Sequence, residues 1–204
     1  MKNIFYRPER VDTYDFDNII SKLREDLSEL VSGKVAQHEI FEYAKKLLTD
    51  GKPLERDPEM IFWGLDKPEN MPGDARVYYF YTPTYIAVSI LAYIRLHYPE
   101  TAGELKSFDD ILGKGLNAST GRDFLGHGHD DLRGLIDCLD IFATADVFGF
   151  AEKHPDICPK FADKLVEAQE YLEHQLATGK KKGDWGEDYS EEASAVVRKI
   201  RNKD

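Results

Sequence analysis

The stretch Thr82-Pro-Thr-Tyr-Ile-Ala-Val-Ser-Ile-Leu-Ala-Tyr-Ile-Arg-Leu-His97 decides the fold, because it predicts a helix that other parts of the chain must cover. It belongs to a run from Val77 to Ile94 that carries no formal charge. Thr82 suits a helix N-cap, and Pro83 suits the first helical position. A helix of this length is too short to cross a bilayer comfortably. We therefore expect it to be the most buried helix of a globular core.

Apolar stripes of helical period predict further helices on both sides of this stretch. Segment 50–81 has the composition of a long loop, and such loops usually cover something or carry function. No segment alternates as a strand does, and hairpin signals such as Asn-Gly are absent. The sequence thus predicts one all-α domain over residues 1–204, with stacked α-hairpins, seven or eight helices and an N-terminal arm at 1–12. Expected helix boundaries include a stop at Gly33, a stop at Gly51, a turn at His154-Pro155, a start at Cys158-Pro159 with Val166 inward, and a cap at Ser190.

Composition and charge limit the kinds of partner. The 204 residues carry a net charge of −11, which argues against nucleic acid or an anionic membrane surface. The N-terminus lacks the apolar core of a secretory signal. Cys138 and Cys158 are the two cysteines, and reduced thiols in a cytoplasmic protein are the expected state.

A repeated loop pattern follows two of the predicted helices. Trp63-Gly-Leu-Asp66 comes after the helix that stops at Gly51, and Trp185-Gly-Glu-Asp188 comes after the helix that stops at Gly179. Phe124 with Gly126 forms a looser middle copy, and the three aromatic positions are spaced 61 and 61 residues apart. Hairpins that cannot bury their own apolar stripe stack on their neighbours. We therefore expect the three loops to lie along one end of the stack.

The segment Tyr171-Leu-Glu-His-Gln175, followed by Gly183-Asp-Trp185-Gly, resembles the QW repeat of terpenoid cyclases and protein prenyltransferases. The resemblance covers roughly residues 40–98 and 160–200. It implies an α/α-toroid-like arc, either open or closed into a ring by a second subunit. It also implies that Gln175 and Trp185 tie a loop to a helix end, and Trp63 is the weaker copy. It does not imply the family's activities, because the acid motif of the hopene cyclases and the zinc ligands of the transferases are missing.

The richest concentration of reactive side chains lies in Leu116–Leu132. His127-Gly-His129-Asp-Asp131 matches a metal-binding string of some hydrolases, in which imidazole and carboxylate suit zinc or iron. In the other interpretation, Asp130 or Asp131 caps the helix that starts at Leu132, and the histidines pack in the loop. We favour capping, because isolated string matches are often false. Arg122 beside Gly121 could bind an anion, although the nearby aspartates would repel phosphate.

Two functions are compatible with these residues. The first is a helical-repeat protein that binds a small ligand or a protein partner at the end formed by the Trp63, Phe124 and Trp185 loops. The alternative is an enzyme, hydrolase-like or lyase-like, that uses His127, His129 and Asp130 for acid–base work or for one metal ion. The sequence assigns no catalytic residue, cofactor or resident metal. The candidate ligand-binding residues are Asp66, Arg122, His127, His129, Asp130 and Asp131.

Overall fold

A computed structural model describes residues 13–54, 57–64, 82–120, 132–178 and 188–202, with side chains from residue 20 onward apart from Leu54. Within these ranges the chain forms nine helices and one two-stranded β-hairpin. In chain order they are α1 (Thr13–Val31), α2 (Gln37–Asp50), β1 (Lys52–Leu54), β2 (Asp57–Phe62), α3 (Thr82–His97), α4 (Pro99–Glu104), α5 (Phe108–Ser119), α6 (Leu132–Thr144), α7 (Val147–Lys153), α8 (Pro159–Thr178) and α9 (Ser190–Arg201).

Helix α3 is the centre of the fold, as the sequence predicts. Every residue from Thr82 to Ala92 is buried, and so is Ile94. The helix packs against α1, α2, α4, α5, α6 and α7. Full burial of an aliphatic side chain contributes about 1.5–3 kcal/mol, so α3 supplies a large share of the core.

Within the described ranges, no helix combines the length and the apolarity needed to span a membrane.

The absence of strands was a wrong prediction. Strands β1 and β2 pair antiparallel, with Lys52 opposite Phe62 and a register shift after Pro53. Tertiary contacts explain the hairpin better than local propensity does. Ile61 and Phe62 are buried, and the Asn117 side chain of α5 donates a hydrogen bond to the Glu59 carbonyl.

The helix count and one inward position also need correction. The short helices α4 and α7 bring the number to nine in the described part of the chain, because Pro99 ends one helix and starts another. Val166 is 54% exposed, since it lies about 100° around α8 from Leu165, which faces the core. Ser190 is the first residue of α9 and not its cap; its N–H and hydroxyl both donate to Asp188 Oδ1.

The stops at Gly33 and Gly51 are confirmed, for two different reasons. Gly33 has a φ of +68°, and the Lys34 N–H donates to the Glu29 carbonyl at 3.0 Å, which is the Schellman pattern at a helix end. Gly51 has an extended backbone, and a Cβ there would lie 2.8 Å from Ile61 Cγ2. Gly51 is therefore needed for close packing of the hairpin on the end of α2.

The structure shows a mostly helical protein, and no toroid appears in the ranges it describes. Helices α3 and α6 run in the same direction: Tyr85 near the start of α3 contacts Asp137, and His97 at its end lies 3.7 Å from Asp146 just beyond α6. The predicted arm at 1–12 lies outside the described residues.

Candidate functional site

All six candidate ligand-binding residues lie outside the described residues, and so do Phe124 and Trp185. They fall in segments 65–81, 121–131 and 179–187. The described residues on either side of these segments therefore define the candidate site. We call this region the loop end; its residues are Gly64, Thr82, Thr120, Leu132, Thr178 and Asp188.

Trp63 fixes the start of the first segment. Its indole Nε1 donates to the Leu47 carbonyl at 2.8 Å, near the end of α2. Its backbone N–H donates to Thr84 Oγ1 at 3.1 Å, and Thr84 Oγ1 donates in turn to the Trp63 carbonyl at 3.1 Å. The residue is 4% exposed. Trp63 therefore ties a loop to a helix end and offers no open ring face on which a ligand could stack.

Gly115 of α5 lies directly against the Trp63 ring. A Cβ at this position would come within 2.7 Å of Val88 Cγ1 and 2.8 Å of Trp63 Cζ3. The close approach holds the last turns of α5 beside the first turns of α3. The Asn117 hydrogen bond to β2 lies on the same part of α5.

Gly115→Ala is therefore expected to lower the free energy of unfolding by about 1–3 kcal/mol, because overpacking outweighs the gain in helix propensity. The matched control is Gly103→Ala in α4, where a Cβ meets nothing within 4 Å. That variant is expected to be neutral or slightly stabilised. Urea unfolding followed by circular dichroism measures both, and equal stabilities for the two variants would contradict the packing at Gly115.

A polar network joins α1, α3 and α6 near the loop end. Arg24 Nη2 donates to the two Asp137 carboxylate oxygens at 2.9 and 2.7 Å. The buried Tyr85 hydroxyl donates to Asp137 Oδ2 at 2.6 Å and lies 3.3 Å from Thr82 Oγ1. Asp137 is half-exposed and accepts from both partners. The network links the first turn of α3 to α6, so two helices that begin at the loop end are held together.

Sequence reasoning missed this network. The available signal was a tyrosine in a helix that the sequence predicts to be buried, because a buried tyrosine hydroxyl usually needs a hydrogen-bond partner. Nothing in the spacing showed that the partner is Asp137, which is 52 residues away. Arg24 comes from a third helix, and only the tertiary fold brings it to the same carboxylate.

Two tyrosines provide a matched test of the network. Tyr85→Phe is expected to lower the free energy of unfolding by about 1–3 kcal/mol, since it removes a buried hydrogen bond to a carboxylate. The Tyr43 hydroxyl is also buried and lies near Asp26, but it makes no hydrogen bond of good geometry. Tyr43→Phe should therefore cost less stability than Tyr85→Phe. Chemical denaturation of both variants gives the comparison, and a larger loss for Tyr43→Phe would rule out the proposed role of Tyr85.

Burial of Cys138 and Tyr85 also makes the stability of the fold fall at alkaline pH. Burial, and then the charge of Asp137, raise the pKa of Cys138 and of Tyr85 well above their usual values. Both groups stay neutral in the folded protein, while in the unfolded chain they ionise near pH 8.5 and 10. The stability they contribute is complete below the unfolded pKa and is lost as pH rises above it. Each group lowers the free energy of unfolding by up to about 1.4 kcal/mol per pH unit.

Cys138→Ala should therefore flatten the fall in stability between about pH 8.5 and 10. Cys158→Ala is the control. Burial raises the pKa of this thiol too, but the side chain is only half-buried, whereas Cys138 is buried. Its effect on the slope should be smaller. Urea unfolding at a series of pH values measures the slopes, and the same slope for Cys138→Ala and the unmodified protein would contradict the prediction.

The starts of α6 and α9 meet the end of α8 around a small apolar cavity. The cavity has a volume of about 10 Å³, which is room for a single water molecule at most. No ligand of metabolite size fits between the described walls. Its lining shows which helix ends come together: Leu132 of α6; Leu172, Gln175 and Leu176 of α8; Tyr189 before α9; and Ser190 and Ala193 of α9.

A chain of contacts links the described residues that flank the three segments. Trp63 connects the first segment to α3 and α5. The Tyr85–Asp137 hydrogen bond connects α3 to α6. The cavity connects α6 to the two ends that flank segment 179–187. The described residues that flank the three segments are thus linked through α3, α5, α6 and α8. That the three loops lie along one end of a stack stays a prediction, because the loops are outside the described residues.

The described part of the chain holds no group of three or more histidine, cysteine or acidic side chains arranged to bind a metal ion. The metal interpretation of His127, His129 and Asp130 concerns a segment outside that part.

The chain matches no model of a known protein family, no curated protein and no solved structure. The resemblance to the QW repeat thus rests on the short motif alone.

Proposed function

We propose that the protein binds a small polar ligand at the loop end. The observation that carries the proposal is the chain of contacts that links the described residues flanking the three loop segments to the buried core. Binding residues commonly sit on loops that a rigid scaffold positions. The Arg24–Asp137–Tyr85 network and the Trp63 ties supply that rigidity.

The side chains of segment 121–131 indicate the class of ligand. Arg122, His127 and His129 are hydrogen-bond donors, and Asp130 and Asp131 are acceptors. A ligand with both acidic and donor groups suits such a mixture. Large apolar residues at the described surface are limited to Val166, so the described ranges provide no apolar patch for a protein partner.

A thermal-shift screen with organic acids, amino acids, sugar phosphates and nucleotides tests the proposal. The strongest binder is then titrated calorimetrically into Arg122→Ala and His127→Ala. Binding is expected to weaken at least tenfold in both. The controls remove the same residue types elsewhere: Arg95→Ala, whose side chain pairs with Asp109, and His38→Ala on the exposed start of α2. No binder, or equal losses in variants and controls, would contradict the proposal.

The alternative, a metal-assisted enzyme, predicts a different result for the same loop. Protein incubated with zinc and then dialysed should retain one equivalent of metal. His127→Ala and His129→Ala should each abolish the retention, while His38→Ala should not. Stoichiometric metal in the unmodified protein, lost in both loop variants, would favour the enzyme over the ligand-binding protein.

We also infer that the α2–α3 and α8–α9 hairpins are copies of one unit, as in a toroid-like arc. Leu47 and Gln175 each lie four residues before the glycine that follows the helix, and Trp-Gly follows in both copies. The Trp63 bond to the Leu47 carbonyl supports a similar tie for Trp185. Trp185→Phe should then destabilise the protein as much as Trp63→Phe does, and an unchanged stability would contradict the repeat.

A further inference from the structure

We draw no further inference here: the strongest candidate, the small apolar cavity between the start of α6, the end of α8 and the start of α9, belongs to the site already described, and nothing in the described structure shows what covers it.

Discussion

Trp63→Ala is expected to lower the free energy of unfolding by about 3–5 kcal/mol, the usual loss when a buried tryptophan is truncated. The ring fills the space between α2, α3 and α5, and its removal leaves a cavity beside Gly115 and Val88. It also leaves the Leu47 carbonyl without the indole donor. A buried acceptor that loses its partner adds to the cost. Unfolding should be followed by circular dichroism and not by fluorescence, because the substitution removes one of the two tryptophans.

Trp63→Phe separates the loss of ring packing from the loss of the hydrogen bond to the Leu47 carbonyl. It keeps most of the ring and removes the Nε1 donor, so about 1–3 kcal/mol should be lost. Val166→Ala on the exposed face of α8 is the control and should change stability by no more than about 0.5 kcal/mol. If Trp63→Ala were as stable as this control, Trp63 would not tie the hairpin to the core, and its ring would be free for a ligand.

Phe142→Ala is expected to have an effect of similar size, about 3–5 kcal/mol. Phe142 is fully buried in α6 and makes edge-to-face contacts with Tyr85 at 6.3 Å and with Phe161 at 5.6 Å between ring centroids. It therefore joins α3, α6 and α8 through a single side chain. Aromatic pairs of this geometry add about 0.5–1.5 kcal/mol beyond the buried area.

Phe148→Ala is the matched control for Phe142→Ala. Phe148 lies in α7 and is only partly buried. Its truncation therefore leaves a smaller cavity, which neighbouring side chains and water can fill. We expect less than half the loss measured for Phe142→Ala. Equal losses would show that the centre of the bundle is not at the α3–α6 contact.

The sequence was sufficient to predict α3 and the amphipathic helices, because a buried or half-buried helix repeats its apolar residues every three to four positions. It was insufficient for the β1–β2 hairpin. Pro53 and Pro58 weaken strand propensity, and the hairpin depends on packing of Ile61 and Phe62 and on the Asn117 side chain. Short helices such as α4 have too few turns to show a period.

The candidate site was also predictable only in part, because tertiary contacts that local patterns do not show bring its residues together. The resemblance to the QW repeat implied, as its weaker copy, that Trp63 ties a loop to a helix end, and the fold shows its partners. The network of Arg24, Tyr85 and Asp137 depends on side chains from three helices far apart in the chain. Period and composition carry no information on such pairs. The role of Arg122 and the two histidines of segment 121–131 stays a prediction.

Amide chemical-shift mapping of the labelled protein with the strongest ligand from the screen tests the central claim most directly. The largest changes are predicted at the loop end, on the described residues Gly64, Thr82, Thr120, Leu132 and Asp188 and on segment 121–131. Changes grouped instead around Tyr98, Asp109 and Asp146, where α3 ends and α5 and α7 begin, would contradict a ligand site at the loop end.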